Sequence, residues 1–247
     1  MITSELVVYA TLVYLLAGVI KGTVGIGLPT AAIGILSQFT DPRLAISLVV
    51  FPILVSNLWQ VIREGNIVQS FKEYWVIATV LIVTLWTTAV AAVRIETNTL
   101  IFILGGVIFL FAVVSLLSKP PALPDRYNRA AQVVSGSIAG ILGGLTAIWA
   151  PPLVIYLMSR RLHKDEFVRV MGILLLAGSI PLCIGFWQSG LFKGNTALLS
   201  AGMIVPTLIG FSLGEILRRR LDAQRFRTVL LMVFLVMGLN LIRKAVF

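Results

Sequence analysis

Charge is scarce in this chain. Only 12% of its 247 residues are Asp, Glu, Lys or Arg, where an ordinary soluble domain carries about 25%. Cysteine and histidine are scarcer still, with Cys183 and His163 each alone of its kind. A disulfide within one chain is therefore excluded, and neither a Cys/His metal site nor a His-based catalytic triad is expected. No enzyme, metal or cofactor is expected. The start, Met1 to Leu6, has Glu5 but no basic residue, so it does not read as a cleaved signal peptide. The glycines from Gly22 to Gly27 lack the Gly-Lys-Ser/Thr ending of a phosphate-binding loop.

What is present is apolar. Hydrophobic residues make up 58% of the chain, and the mean hydropathy is +1.00. A run of about 18 nearly uncharged residues is enough to cross the hydrocarbon of a bilayer as a helix. Eight hydrophobic blocks can be marked, at 5–38, 43–61, 74–93, 99–118, 130–158, 168–187, 196–217 and 226–242. The expected fold class is an all-α polytopic membrane protein. The net charge of +10 does not signal nucleic acid, because basic residues such as Arg160-Arg161 and Arg218-Arg219-Arg220 stand where apolar runs end. Their natural partner is anionic membrane lipid.

Three prolines in Lys119-Pro120-Pro121-Ala122-Leu123-Pro124-Asp125-Arg126 break the chain most clearly. They divide it into a first repeat at 1–118, a linker at 119–129 and a second repeat at 130–247, with four blocks in each half. Blocks one and five are longer than one crossing needs, and each is interrupted at its middle by glycine and proline. The first reads Ala17-Gly18 to Gly25-Ile26-Gly27-Leu28-Pro29, the fifth Ala139-Gly140 to Ala147-Ile148-Trp149-Ala150-Pro151. At an offset of 122 they share Ala, Gly, Gly, Ile and Pro at five positions. Arg43 and Arg169 then open the second and sixth blocks, and Gly65 and Gly190 follow them.

Loop charge tests the topology. If every block crosses once, the basic residues split 8 to 11 between the two sides, which is almost no bias. If blocks one and five instead enter and leave on the same side, Arg63, Lys72, Lys119, Arg126 and Arg129 join Arg160, Arg161, Lys164, Arg169, Arg218, Arg219, Arg220, Arg225 and Arg227. Only Arg43, Arg94, Lys193, Arg243 and Lys244 remain opposite, a split of 14 to 5 with Lys21 set aside. The second arrangement fits the positive-inside rule. It predicts two inverted repeats with re-entrant hairpins at blocks one and five, large basic loops in the cytoplasm, and a multi-pass place in the cell inner (plasma) membrane.

Non-helical backbone is tolerated at membrane depth only when buried in protein or lining a watery cavity. Paired interruptions in a repeated chain therefore point to a transport site. A helix restarting there offers unpaired N–H groups and the positive end of its dipole, which suits an anion. Pro29 and Pro151 fit the first turn of such helices. The candidate ligand-binding residues are Lys21, Gly22, Thr23, Gly25 and Gly27 in the first interruption, with Gly143, Gly144, Thr146 and Trp149 in the second. Asn57 and Gln60 join them, sharing a helical face near Ser56. Each has a plainer role open to it. Lys21 could snorkel to the interface, the threonines could bond their own helix, and the amides could bond a neighbouring helix. Gly18-xxx-Gly22, Gly140-xxx-Gly144 and Gly210-xxx-Gly214 permit close helix contact, while Glu215 and Arg219 form an i, i+4 pair.

The chain resembles the TauE/SafE membrane proteins, described as exporters of sulfite and organosulfonates. The resemblance spans nearly all of it. It rests on the two four-block halves, on Ala17-Gly18-x-x-x-Gly22-x-x-Gly25-x-Gly27-x-Pro29, on Ala139-Gly140-x-x-x-Gly144 to Pro151, and on Gly210-x-x-x-Gly214 before a basic loop. Ala147 and Trp149 depart from the glycines of the first signature. The resemblance implies export of a small sulfur-containing oxyanion such as sulfite, sulfoacetate or a related sulfonate. The mechanism expected is alternating access, with the two hairpins meeting near the midplane. An anion channel and a non-transporting assembly subunit are the alternatives. The expected partners are the anion and membrane lipid, with a homodimer left open.

Overall fold

The computed structural model describes residues 4–64, 67–117, 120–192, 195–218 and 223–246. Gly65, Lys119, Lys193, Arg219 and Arg220, used above, lie outside them. The described residues are helical and contain no strand. Twelve helices follow in order: α1 (Ser4–Val24), α2 (Leu28–Leu36), α3 (Pro42–Leu48), α4 (Val50–Glu64), α5 (Ile67–Ala91), α6 (Thr97–Leu117), α7 (Asn128–Thr146), α8 (Ala150–Ser159), α9 (Lys164–Gln188), α10 (Asn195–Gly202), α11 (Ile204–Arg218) and α12 (Ala223–Val246).

Among these residues, seven stretches are long and apolar enough to cross a membrane: Ser4–Val24, Pro42–Arg63, Lys72–Ala91, Thr97–Leu117, Glu166–Gln188, Asn195–Arg218 and Arg225–Val246. The chain is thus a multi-pass membrane protein. The fifth block is the one that yields no such stretch. Its long helix α7 carries Gln132, Ser135, Ser137 and four glycines, which lower its hydropathy, and its partner α8 is a short apolar helix. Block three begins earlier than the hydropathy suggests. Helix α5 starts at Ile67, and the residue where the apolar run opens, Tyr74, has non-helical dihedrals.

The chain divides into two compact units. Unit 1 contains Met1–Ser56, Ile95–Ser118 and Leu191–Phe247; unit 2 contains Asn57–Arg94 and Lys119–Gly190. Each takes segments from both sides of the proline linker, and α4 contributes to both.

Unit 1 is built on glycine contacts. Gly210 lies against Leu15 and Val19, and Gly214 against Val19, Gly22 and Thr23, so α1 and α11 run parallel. A Cβ on Gly22 would collide with the carbonyl oxygen of Phe211. Helices α6 and α12 pack antiparallel, with Gly105 against Gly238 and Ile242, and Gly238 against Phe109. Such spacing matters in lipid, where close approach and dispersion take over from the hydrophobic effect. The end of α2 is tied to the end of α12 by Asn240 Nδ2 to Gln38 Oε1 (2.5 Å) and Lys244 Nζ to the Ser37 carbonyl (3.2 Å). Arg43, at the start of α3, donates to the carbonyl of Ile95.

Unit 2 repeats the theme with other residues. Gly136 meets Ile77 and Val80, Gly140 meets Thr84 and Leu85, and Gly144 meets Thr88 and Ala89, so α7 and α5 run parallel. The two ends of the α7–α8 segment come together: Tyr156 Oη donates to Asn128 Oδ1 (2.8 Å), Leu123 N to the Ser159 carbonyl (2.9 Å), and Arg160 pairs with Asp125 (2.7 Å). The far ends of α5 and α9 are joined by Trp86 Nε1 to Gln188 Oε1 (2.9 Å).

Candidate functional site

Both interruptions expected from the sequence exist, and each falls about two-thirds of the way along its block rather than at its middle. In unit 1 the break covers residues 25–27, between α1 and α2. Gly25 adopts φ +84°, its N–H donates to the Lys21 carbonyl (2.7 Å), and a Cβ there would meet no described atom within 4 Å. Gly27 precedes α2 with φ +99° and gives it no side-chain cap. Glycine suits both positions, since an L side chain in this region is strained. Helix α2 then starts with Leu28 at its first position, Pro29 at its second and Thr30 at its third. The N–H groups of Leu28 and Thr30 have no acceptor within the helix.

Lys21 lies in the last turn of α1, only 3% exposed. Its ammonium donates to Ser56 Oγ at 3.0 Å, and Ser56 in turn donates to the Ile53 carbonyl (3.2 Å). Ser56 is itself fully buried. The lysine is turned inward, so the snorkelling alternative does not describe it. Thr23 bonds the carbonyls of Val19 (2.8 Å) and Gly214 (3.2 Å), stapling α1 to α11. Gly22 belongs to the same helix contact.

In unit 2 the break covers 147–149, between α7 and α8. Ala147 takes φ +57° and donates to the Gly143 carbonyl (2.8 Å), the same closure that Gly25 makes on Lys21. Thr146 bonds Leu142 O (2.7 Å) and accepts from Ile148 N (3.2 Å), so it closes the turn. Gly144 packs on α5. Trp149 precedes α8 and is 1% exposed. Its ring covers Gly143, where a Cβ would stand 2.8 Å from Trp149 Cβ. Its indole nitrogen faces Gly178 of α9, where a Cβ would stand 2.7 Å away.

Asn57 and Gln60 also face α9. Asn57 Nδ2 donates to Ser179 Oγ (2.8 Å) and to the Leu175 carbonyl (3.1 Å). Gln60 lies beside Gly172, whose Cβ would stand 3.4 Å from Nε2. Two buried polar atoms here, Trp149 Nε1 and Gln60 Oε1, have no hydrogen-bond partner among the described residues. The sequence reading missed Ser179 and the small residues Gly172 and Gly178. The two glycines carried a signal as small residues in an otherwise bulky apolar helix, and Ser179 carried none. No group of three or more His, Cys, Asp or Glu that could hold a metal occurs among the described residues.

A profile of the family described as Sulfite exporter TauE/SafE matches residues 10–241. No curated protein and no solved structure matches the chain.

Proposed function

Because the chain belongs to the TauE/SafE family, we propose that it exports a small sulfur-containing oxyanion, sulfite or a related sulfonate, by alternating access. The donors of the two breaks contact the anion in the course of transport. The observation that carries this reading is the buried Lys21 ammonium, held by Ser56 one turn before a break where a side chain on Gly25 would meet no described atom within 4 Å. A cation inside a membrane helix is costly and by default functional, and an anion is its simplest complement. An interior-negative potential would drive a monoanion outward with about 2.3 kcal/mol per 100 mV.

We read the fold as two inverted repeats with re-entrant hairpins. In unit 2, the joined ends of α7 and α8 support entry and exit on one side. In unit 1, α1 runs parallel to α11, α12 returns, and the end of α2 touches the end of α12. That order supports the same conclusion for α1–α2. The parallel pairs α1–α11 and α7–α5 are counterparts under this symmetry, and the antiparallel α6–α12 pair is its own counterpart. Both termini then lie outside the cell, and the basic loops inside it.

Flux of labelled sulfite, sulfoacetate and chloride from proteoliposomes at a set potential tests the function. Saturable, potential-dependent movement of a sulfur oxyanion is expected, with chloride excluded; rapid, non-saturating chloride flux would identify a channel instead. Cysteines placed after Val61 and at Ser118 should label only from the cytoplasmic side. Labelling from outside would reject the inverted topology.

A further inference from the structure

In unit 2, α7 presents the row Gln132, Gly136, Gly140, Gly144, whose members are four apart and share one helical face. The three glycines let that face press closely on α5. At Gln132 the row ends in a long polar side chain that is only 2% exposed. Its Oε1 accepts from the Ile77 N–H (3.2 Å), and its Nε2 donates to the Glu73 carbonyl (3.4 Å). Those two backbone groups are four residues apart, the pair that an unbroken α-helix joins to each other. The carboxamide therefore stands where a main-chain hydrogen bond of α5 belongs. Tyr74, inside that turn, has non-helical dihedrals, φ −108° and ψ 16°. A side chain inserted into the i→i−4 ladder is one of the few causes of a helix kink.

The insertion is balanced. A carboxamide supplies both an acceptor and a donor, so with Gln132 in place the Ile77 N–H and the Glu73 carbonyl are both satisfied. With it withdrawn, the same two groups can satisfy each other. Neither arrangement leaves this pair buried and unbonded, which is the usual penalty for opening a helix. Both bonds are also longer than the common 2.9–3.0 Å, so the carboxamide is held loosely. We propose that the turn at Tyr74 is a two-state joint: Gln132 holds it open, and α5 closes it when α7 withdraws the carboxamide during transport. The joint lies near the start of the apolar stretch Lys72–Ala91. It adjoins the base of the α7–α8 segment, where Tyr156 bonds Asn128 one turn before Gln132. Movement of that segment thus reaches the α5 backbone through one side chain. The joint follows from the hydrogen bonds, while its part in transport rests on the anion-export reading above.

Gln132→Met is the test, because an unbranched apolar chain adapts to the space while losing both hydrogen bonds. Hydrogen exchange across residues 74–77 and thermal melts are read in detergent, beside labelled sulfite efflux from proteoliposomes. A joint closes its own bond, so exchange should be no faster than in the wild type and the melting temperature should stay within about 3 °C. Efflux should fall about 10-fold, since the closed state is then favoured throughout the cycle. A static patch, in which the rest of the fold imposes the kink, predicts the reverse for the first two readings. Exchange faster by about 10-fold or more and a fall of about 5 °C or more would overturn the joint. Unchanged efflux with unchanged melting would overturn its part in transport. Gln132→Ala repeats the test with no side chain left to fit; if neither variant folds, the closed turn is unattainable and the joint is overturned. Absence of sulfite flux in the wild type would remove the export reading, and exchange and melting would still decide the joint.

Discussion

The breaks in the two units share a backbone and differ in chemistry. In each, a left-handed residue, Gly25 or Ala147, closes the preceding helix on the carbonyl four residues back. A proline occupies the second position of the helix that follows. Yet the carbonyl belongs to Lys21 in unit 1 and to Gly143 in unit 2. Where unit 1 starts a cationic side chain, unit 2 has no side chain and covers the glycine with the Trp149 ring. The helix starts differ as well. Helix α2 keeps two N–H groups in its first three positions, but α8 has Pro151 and Pro152 at its second and third and keeps only that of Ala150. Unit 1 thus offers a cation, a hydroxyl and backbone donors. Unit 2 offers a neutral indole and carboxamides. The backbone turn sets where donors stand, and the residues in it set which charge they prefer.

The glycine contacts give the largest expected way to break this comparison. Gly22→Ala drives a Cβ into the Phe211 carbonyl, and α11 cannot move that atom without moving itself. A loss of about 3 kcal/mol or more is expected, seen as a steep fall in thermal stability in detergent. Gly140→Ala meets the Thr84 hydroxyl, which can rotate, but also Thr84 Cβ and the Leu85 backbone nitrogen, which move only with α5, so a loss of similar size, about 3 kcal/mol, is expected. Equal losses would show that the two helix pairs are packed with the same rigidity. Next comes Lys21→Ala, which should slow sulfite efflux by about 100-fold through loss of a buried charge-assisted contact. Unaltered efflux would return Lys21 to a structural role.

Smaller effects sharpen the backbone likeness. Gly25→Ala places a side chain at φ +84° and should destabilise by about 1 kcal/mol, while Ala147→Gly relieves the same strain and should stabilise by up to about 1 kcal/mol. Opposite signs in thermal melts would confirm that the two turns are equivalent. Of similar size, Tyr156→Phe should cost about 1 kcal/mol by leaving Asn128 without its donor. Arg160→Ala should cost still less, because its partner Asp125 is exposed and surface ion pairs contribute little.

Several features were legible in the residues alone. The glycine–proline interruptions marked both breaks, and the i, i+3 spacing of Asn57 and Gln60 placed both on the face that meets α9. The Gly-xxx-Gly spacings forecast the tight α1–α11 and α5–α7 contacts. Thr23 and Thr146 were ambiguous, because a threonine that binds a ligand and one that bonds its own helix look alike in sequence. Ser179 was not legible, since one serine in an apolar run says nothing until the helix facing it is known.

By itself, the sequence determined that the chain lives in a membrane, where its helices are interrupted, and which family it belongs to. Those follow from hydropathy, from the dihedral limits of glycine and proline, and from motif order, all of them local properties. Only the tertiary structure decided that Lys21 turns inward to Ser56, that Gly22 and Gly144 serve helix packing, and that Trp149 Nε1 and Gln60 Oε1 have no partner among the described residues. Those depend on which helices become neighbours. Parallel pairs such as α1 with α11 join residues nearly two hundred positions apart, a separation that no local pattern encodes.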